Sequence, residues 1–579
     1  MSEEANERRA LTARWFVVVL VSLIATPFLV LGLGAPLDDP GEGQNAEIAR
    51  ELFERGNPFA LTLNGVAYVD KPPLVFALQA LAFRVGGVSE TSARTVSAIA
   101  GLLAVAGTAW LGARLLSPLG GVIAGAALLT SPWFVVYARY VRPDALFVAA
   151  IAWGFALVLA GLDARRRALV GAGLIAFGIA GLAKDVAGTL APPAAIALAC
   201  ALNGRARDFV RSVPWPAAAA ALVLATAWWL GTELRTPGAL WYTIVDNKLR
   251  NMAGVRLYPD EDVSLSAVEF LAVALLGAFP WTILAAFAAW HLVVRARWRR
   301  AEELPWLPLF VWTIGGLVVS TLSAFRLPHY GLPMYPALAV LAARGATTLG
   351  RRASFVAGAA FVTAGIVAFL MWRGDGAAFA HVIGVADGAT RNVAELGGEL
   401  YAPPWRRMQP LLGLGAVVLA TGGGLALASA WRSTPPLAVV VALTMLALTP
   451  LTTRAAAMMA EHRSARPIAR FVAEQAATSD LIGHEGPIET SGSFEWYSGR
   501  RPFIVNGRRS VVAFGAAQPE ASPLFWDTER LRSVWTRKRV WLVTTRPPAH
   551  SVARSLPGAR LVLQTGTRAL YVSPAITAP

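Results

Sequence analysis

Between Leu37 and Leu74 the chain reads LDDPGEGQNAEIARELFERGNPFALTLNGVAYVDKPPL. This polar interval opens on Asp38, Asp39 and Glu42 and closes on Asp70-Lys71-Pro72-Pro73. Carboxylates of this kind can take or orient a proton, and a lysine can hold an anion. Similar groups recur in short polar intervals further along: Arg139, Arg142 and Asp144; Lys184 and Asp185; Asp246, Asn247, Lys248 and Arg250; Arg326, His329 and Tyr330. Asp39 and Glu42, at i and i+3, can project together where a loop enters a helix. Asp144 opens an apolar run, and an ionisable group at that depth is costly and usually functional.

The elements that position these groups are membrane spans. Of 579 residues, 55% are hydrophobic and 15% charged, and mean hydropathy is +0.51. Soluble domains carry about 25% charged residues, so a polytopic membrane protein is expected. An apolar run from Trp15 to Gly34 follows Arg8, Arg9 and Arg14. It is longer than the apolar segment of a signal peptide, lacks a small-x-small cleavage site and reads as an uncleaved first span. Further spans are expected near 96–114, 118–137, 144–162, 167–183, 187–203, 214–231, 265–293, 305–324, 333–349, 354–372, 409–431 and 436–456, about thirteen in all.

Loop charges orient the spans. Arg114, Arg165 to Arg167, Arg205, Arg207 and Arg211, Arg295 to Arg300, Arg344 to Arg352 and Arg432 fall in alternate loops. These should be cytoplasmic. The first loop (35–92), the 232–263 and 373–408 loops and the C-terminus then lie on the opposite, non-cytoplasmic side, where the polar groups named above also emerge. Net charge is +16, which fits basic cytoplasmic loops and anionic headgroups or phosphates. The basic residues are scattered, so nucleic acid is not an expected partner. Cys200 is the single cysteine; it excludes an internal disulfide and reads as a small apolar residue.

After about residue 457 the composition changes. ARPIARFVAEQAA reads as an amphipathic helix, and IVNGR, RVWLVTT, ARLVLQT and RALYVSP read as short strands. Residues 458–579 are therefore expected to form a small soluble α/β domain beside a membrane domain of residues 1–457, with His484 and Glu485 on its surface.

ATP is not available outside a bacterial inner membrane, so group transfer there needs a donor already activated. In transfer of a sugar from a polyprenyl phosphate, the leaving phosphate gains negative charge, and cations fixed beside it favour the transition state over the ground state. Lys71, Arg142, Lys184 and Arg326 are of the right type. The phosphate leaves without a general acid, so one carboxylate base is enough. A metal site at His329 is not expected, because no second histidine is near it in sequence.

PGEGQNAEIAREL, NGVAYVDKPPLVF, RYVRPD and SAFRLPHYGLPMYPAL, in that order, resemble the lipid A aminoarabinose transferases and related protein mannosyltransferases, over roughly the first 350 residues. The resemblance implies a GT-C fold of thirteen spans with a C-terminal soluble domain, and an inverting, metal-independent transfer with no cofactor. By motif it carries the family's first-loop Asp-Glu pair onto Gly41-Glu42, its Lys before proline onto Lys71 with Asp70 beside it, its acid after the third span onto Asp144, and its LPxY-type tyrosine onto Tyr330. Gly41 thus stands where the family usually has an Asp, and Gln44-Asn45 where the aminoarabinose enzymes have Arg-Tyr.

The expectation is therefore a monomeric inner-membrane glycosyltransferase that moves a sugar from a polyprenyl-phosphate donor to a lipid, glycan or protein acceptor. Asp39 is the first choice for the base, with Asp38 or Glu42 as alternatives and Asp144 beside them. Lys71, Arg142 and Arg326 bind the phosphate, and Asp38, Asp70, Lys184, His329 and Tyr330 line the cavity. The rival expectations are a flippase for lipid-linked sugars and an inactive binder of them; the absence of an internal repeat and the gathering of charges at one face favour the enzyme over the flippase.

Overall fold

The computed structural model describes residues 3–348, 350–395, 401–432 and 437–574. Residues 396–400 of the expected 373–408 loop and 575–579 of the expected C-terminal domain lie outside the described residues.

Each of the expected spans carries helix. Among the described residues seven helices are long and apolar enough to cross a bilayer; they include α1, whose apolar part is Ala10–Val30, α4 (Glu90–Leu115) and α7 (Asp144–Asp163). The others run over Trp215–Glu233, Arg352–Arg373, Trp405–Trp431 and the stretch that starts at Leu437. The 265–293 run is broken: Ala267–Leu276 and Trp281–Val293 meet at 102°. Pro280, without an N–H, cannot continue the ladder there. The 118–137 run is likewise split into α5 (Pro118–Leu129) and α6 (Pro132–Tyr137) at Thr130-Ser131. The remaining expected spans fall on shorter apolar helices, including α8 (Arg167–Ala183), α9 (Ala187–Leu202) and Leu307–Leu322.

The first loop is more structured than its polarity implies. α2 covers Gly41–Arg55, longer than the piece expected from Ala46 to Phe53. Asn64-Gly65, both at positive φ, turn a two-residue hairpin between β1 (Thr62–Leu63) and β2 (Val66–Ala67). α3 (Leu74–Gly86) then returns the chain to the membrane helices.

The C-terminal chain builds a six-stranded sheet in the order β5-β4-β3-β6-β8-β7, with β3 Leu481–Glu485, β4 Phe503–Val505, β5 Phe525–Trp526, β6 Val540–Thr544, β7 Arg560–Thr565 and β8 Arg568–Val572. β5, β4, β3 and β6 are parallel; β8 runs antiparallel to both β6 and β7. The amphipathic helix Arg466–Gln475 covers one face with Ile468, Ala469 and Val472, and Leu531 and Trp535 cover the other. His484 and Glu485 are not on the surface as expected. They are buried because β3 is a central strand covered on both faces, and Glu485 accepts from Ser551 Oγ at 2.6 Å and Val552 N at 2.8 Å. The helix Leu437–Arg463 runs past the boundary expected at 457/458.

This sheet unit is locked onto the first loop. A Cβ on Gly43 would stand 2.4 Å from Ser493 N, so α2 and residue 493 meet backbone to backbone. Arg50 of α2 reaches Glu495 at 3.2 Å, and Arg501 reaches Glu51 of α2 at 3.4 Å. The buried carboxylates Glu51 and Glu495 are tolerated because each is paired.

Candidate active site

Where the first loop, the membrane helices and the sheet unit meet there is a cavity of about 690 Å³. Its walls have two characters. One is apolar: Ala187, Ala191, Ala194, Ala195 and Leu198 share a face of α9 at helical spacing, opposite Val311, Gly315, Gly316 and Val319 of Leu307–Leu322. The other is polar and holds the cations Lys71, Arg142, Lys184, Lys248, Arg256 and Arg463, with Asp70, Asp185, Asp260, Asp262, Asp387 and Glu489 among them.

Asp144 organises the cations. It is buried at the start of α7 and sits 2.7 Å from Lys184 Nζ and 3.3 Å from Arg142 Nε. Both bases line the cavity while the carboxylate behind them does not. Arg142 also lies 3.3 Å from His329 Nε2. An arginine only donates, so this nitrogen is the acceptor and the imidazole proton resides on Nδ1. The ring of His329 lies against Tyr137 and Tyr330.

Lys71, placed by the turn before α3, lines the same wall, and no ion pair is formed by its ammonium among the described residues. Burial lowers its pKa to about 8, and nearby Lys248 and Lys184 push the same way. Its neighbour Asp70 is engaged elsewhere, accepting a short hydrogen bond from Tyr242. Although burial works against the charge of Asp185, Lys248 at 3.2 Å together with Lys184 and Lys71 hold its carboxyl down at about 2. The wall is thus cationic where Lys71, Arg142 and Lys184 gather, and among the described residues Lys71 makes no direct ion pair, with Asp70 and Asp185 within electrostatic reach of its ammonium.

Besides Asp144, four expected site residues do not face this cavity. Asp39 is fully buried, accepting from Ser493 N at 2.9 Å, Ser493 Oγ at 2.6 Å and Ala465 N at 3.0 Å, with Arg568 at 3.6 Å. It ties the first loop to the sheet unit. Glu42 accepts from Arg94 Nε at 2.8 Å, Val141 N at 3.0 Å and Asp38 N at 3.0 Å, which uses both its oxygens on the loop's own frame. Arg326 turns back to the carbonyls of Thr321 and Leu265, at 3.0 and 2.8 Å. Asp38 is buried one layer behind the wall, where it accepts from the hydroxyl of Tyr140 at 2.7 Å. Lys71, Arg142, Lys184, Asp70, His329 and Tyr330 do line the cavity.

Tyr140 explains how the chain accommodates Gly41. A Cβ at Gly41 would stand 2.5 Å from the Tyr140 hydroxyl, so this ring occupies the space a larger residue 41 would need. Both residues line the cavity. The other oxygen of Asp38, Oδ1, has no hydrogen-bond partner among the described residues. Burial raises its carboxyl to about 7, against the pull of Arg463 at 3.8 Å and of the Tyr140 hydrogen bond.

Sequence reasoning missed several lining groups: Tyr68, Tyr137, Asp260, Asp262, Asp387, Arg463 and Glu489. The acid-rich PDED run beside Arg256 was a usable signal for Asp260 and Asp262. Asp387 and Arg463, 2.8 Å apart, are joined only by the fold. Asp246, singled out from its sequence, is structural: it accepts from Leu257 N and Tyr258 N at 2.6 and 3.1 Å.

This architecture is that of a membrane-embedded GT-C protein with a small C-terminal sheet unit. The chain superposes on the crystal structure of ArnT from Cupriavidus metallidurans bound to undecaprenyl phosphate, and on its apo state, each with a TM-score of 0.78 at 20% identity, covering 96% of this chain and 98% of that one. The family model for dolichyl-phosphate-mannose-protein mannosyltransferase matches residues 70–230. Among curated relatives, an undecaprenyl phosphate-alpha-4-amino-4-deoxy-L-arabinose arabinosyl transferase of Enterobacter sp. (strain 638) is 25% identical over 350 residues, 58% of this chain and 60% of the relative. A second such transferase, from Sodalis glossinidius, is 27% identical over 361 residues, 58% of this chain and 61% of that one. An uncharacterized protein of Aquifex aeolicus is 24% identical over 331 residues, 57% and 63% of the two chains. Each alignment spans less than two thirds of the relative's own length. The resemblance read from the four motifs is borne out by these similarities.

Proposed function

We propose that this protein transfers a sugar from a polyprenyl-phosphate donor to a lipid A-like acceptor. The observation that carries the reading is the two-sided cavity: an apolar lane between α9 and Leu307–Leu322 that opens onto the cations Lys71, Arg142 and Lys184. A prenyl phosphate has the same two parts, an apolar chain and an anionic head. The fold shared with an ArnT bound to undecaprenyl phosphate, and relatives named as undecaprenyl-phosphate sugar transferases, support the donor class.

In the proposed reaction the acceptor oxygen bonds to the anomeric carbon from the face opposite the phosphate, which inverts that centre. The carbon–oxygen bond to the phosphate breaks and its electron pair passes to the phosphate, so a singly charged diester becomes a monoester of greater charge. Lys71, Arg142 and Lys184 favour that added charge. The acceptor's proton passes to Tyr140 Oη as the Tyr140 proton passes to Asp38 Oδ2. A carboxyl near 7 is matched to that task. Asp144 and His329 set the positions of the cations, and Asp39 and Glu42 fix the loop from which Asp38 acts.

The alternating arginine-rich loops favour a periplasmic site on a bacterial inner membrane, a cytoplasmic N-terminus and a periplasmic C-terminal unit. The test is release of free polyprenyl phosphate from a sugar-charged donor by the purified protein supplied with membrane lipid extract. Release by the wild type that is lost in Lys71→Ala and Asp38→Asn is expected. Donor binding without release in the wild type would shift the reading to a binder or flippase of lipid-linked sugars.

A further inference from the structure

Glu489 lies in the turn Ile488–Ser491 that leaves the end of β3. It is 8% exposed and lines the cavity together with Val511. One of its oxygens, Oε1, accepts from Val511 N at 3.0 Å; the other, Oε2, has no hydrogen-bond partner among the described residues. A buried carboxyl with one oxygen unsatisfied carries a cost that a ligand can remove. Burial, with Asp260 and Asp262 nearby, pushes its carboxyl well above the usual range, and hydrogen-bond donors supplied by a ligand at Oε2 favour the charged, accepting form. Tyr68, also on the cavity wall, is within electrostatic reach of both Glu489 and Arg142. The acid and the phosphate-binding cations therefore belong to one polar wall.

Of the three parts of a prenyl-phosphate sugar, the tail is apolar and the phosphate is an anion. Neither offers a hydrogen to a carboxyl oxygen. The sugar does, through hydroxyl or amino groups. Building on the donor reading above, we infer that Glu489 is a specificity-determining residue: it accepts hydrogen bonds from the transferred sugar, so the C-terminal sheet unit takes part in selecting the donor. Acceptor sugars carry the same kind of group, and donor binding measured without acceptor separates the two sources.

The experiment uses the full chain in lipid nanodiscs. Binding of bare undecaprenyl phosphate and of undecaprenyl phosphate carrying 4-amino-4-deoxy-L-arabinose or mannose is measured for wild type, Glu489→Gln and Glu489→Leu. All three proteins should bind the bare phosphate alike. For the sugar-charged donor that wild type prefers, Glu489→Leu should weaken binding by about tenfold or more, the size of one lost hydrogen bond to an ionisable group. Glu489→Gln keeps an acceptor oxygen of the same shape and should fall between the two. Unchanged binding of the charged donors in both variants, with bare phosphate still bound, overturns the inference and leaves the donor reading intact. A sugar effect seen only when acceptor is present also overturns it. Failure of the wild type to bind even bare undecaprenyl phosphate overturns the donor reading itself.

Discussion

The hydroxyl of Tyr140 donates to Asp38 Oδ2 across 2.7 Å, and the ring that carries it fills the space beside Gly41. A carboxylate buried behind the cavity wall is thereby connected to the cavity through one phenol. Asp38→Asn and Tyr140→Phe should each lower turnover by about 10²–10⁴-fold, the usual contribution of a positioned base. Binding of bare undecaprenyl phosphate should stay within about twofold, because neither group touches the phosphate cations. Turnover and binding falling together in both variants would count against the relay.

The pH profile follows from two groups outside the spans. Asp38, raised to about 7 by burial, works as a base only when ionised, so kcat/KM should fall as pH drops below 7. Lys71, lowered to about 8 by burial, holds phosphate only when protonated, so kcat/KM should fall again as pH rises above 8. Bound phosphate favours the charged lysine, which moves the basic limb upward in kcat relative to kcat/KM. In Lys71→Arg, whose guanidinium stays charged, the basic limb should disappear. A basic limb unchanged in that variant would assign it to another group.

Asp144 faces Lys184 and Arg142 from behind, with 2% of its side chain exposed. Asp144→Ala leaves two bases without their partner, and removing one member of a buried ion pair costs about 3 kcal/mol or more. Thermal unfolding in detergent should show that loss. Donor affinity should drop as well, since neither cation is then held in place.

The apolar lane is open at Gly315: a Cβ there meets nothing within 4 Å, whereas one at Gly316 would strike Met334 Sδ at 2.6 Å. Gly315→Leu should fill the lane without disturbing the helix. KM for a long-chain prenyl donor should rise about tenfold or more, in line with about 0.8 kcal/mol per displaced methylene contact, while a donor with a very short chain is used as before. Equal effects on both donors would move the tail elsewhere.

Asp39 makes three hydrogen bonds to Ser493 and Ala465 and none into the cavity. Asp39→Ala should loosen the sheet unit from the first loop, seen as faster proteolysis within residues 458–500. Bare-phosphate binding by the protein that stays intact should persist. An intact, normally stable Asp39→Ala protein lacking turnover would return Asp39 to the role of base.

The sequence by itself determined the membrane-embedded helices, because their long apolar runs admit no other solvent. It also singled out Lys71, Arg142 and Lys184, cations that line the cavity, because they stand in short polar intervals that an apolar chain does not otherwise keep; Arg326, singled out with them, does not line it. Four strands and the amphipathic helix of the C-terminal unit were legible from period-two and period-3.6 patterns. β3 escaped notice because LIGHE places His484 and Glu485 on a strand buried on both faces, where no alternation survives.

Only the tertiary structure decided which first-loop carboxylate connects to the cavity. Asp38 and Asp39 are neighbours of the same type, and nothing local separates them. One meets Tyr140, more than a hundred residues away, and the other meets Ser493, more than four hundred away. The place of Glu489 is hidden for the same reason. A charge reveals its type in sequence, but its partner, and whether it has one, is set by contacts between segments that the chain keeps far apart.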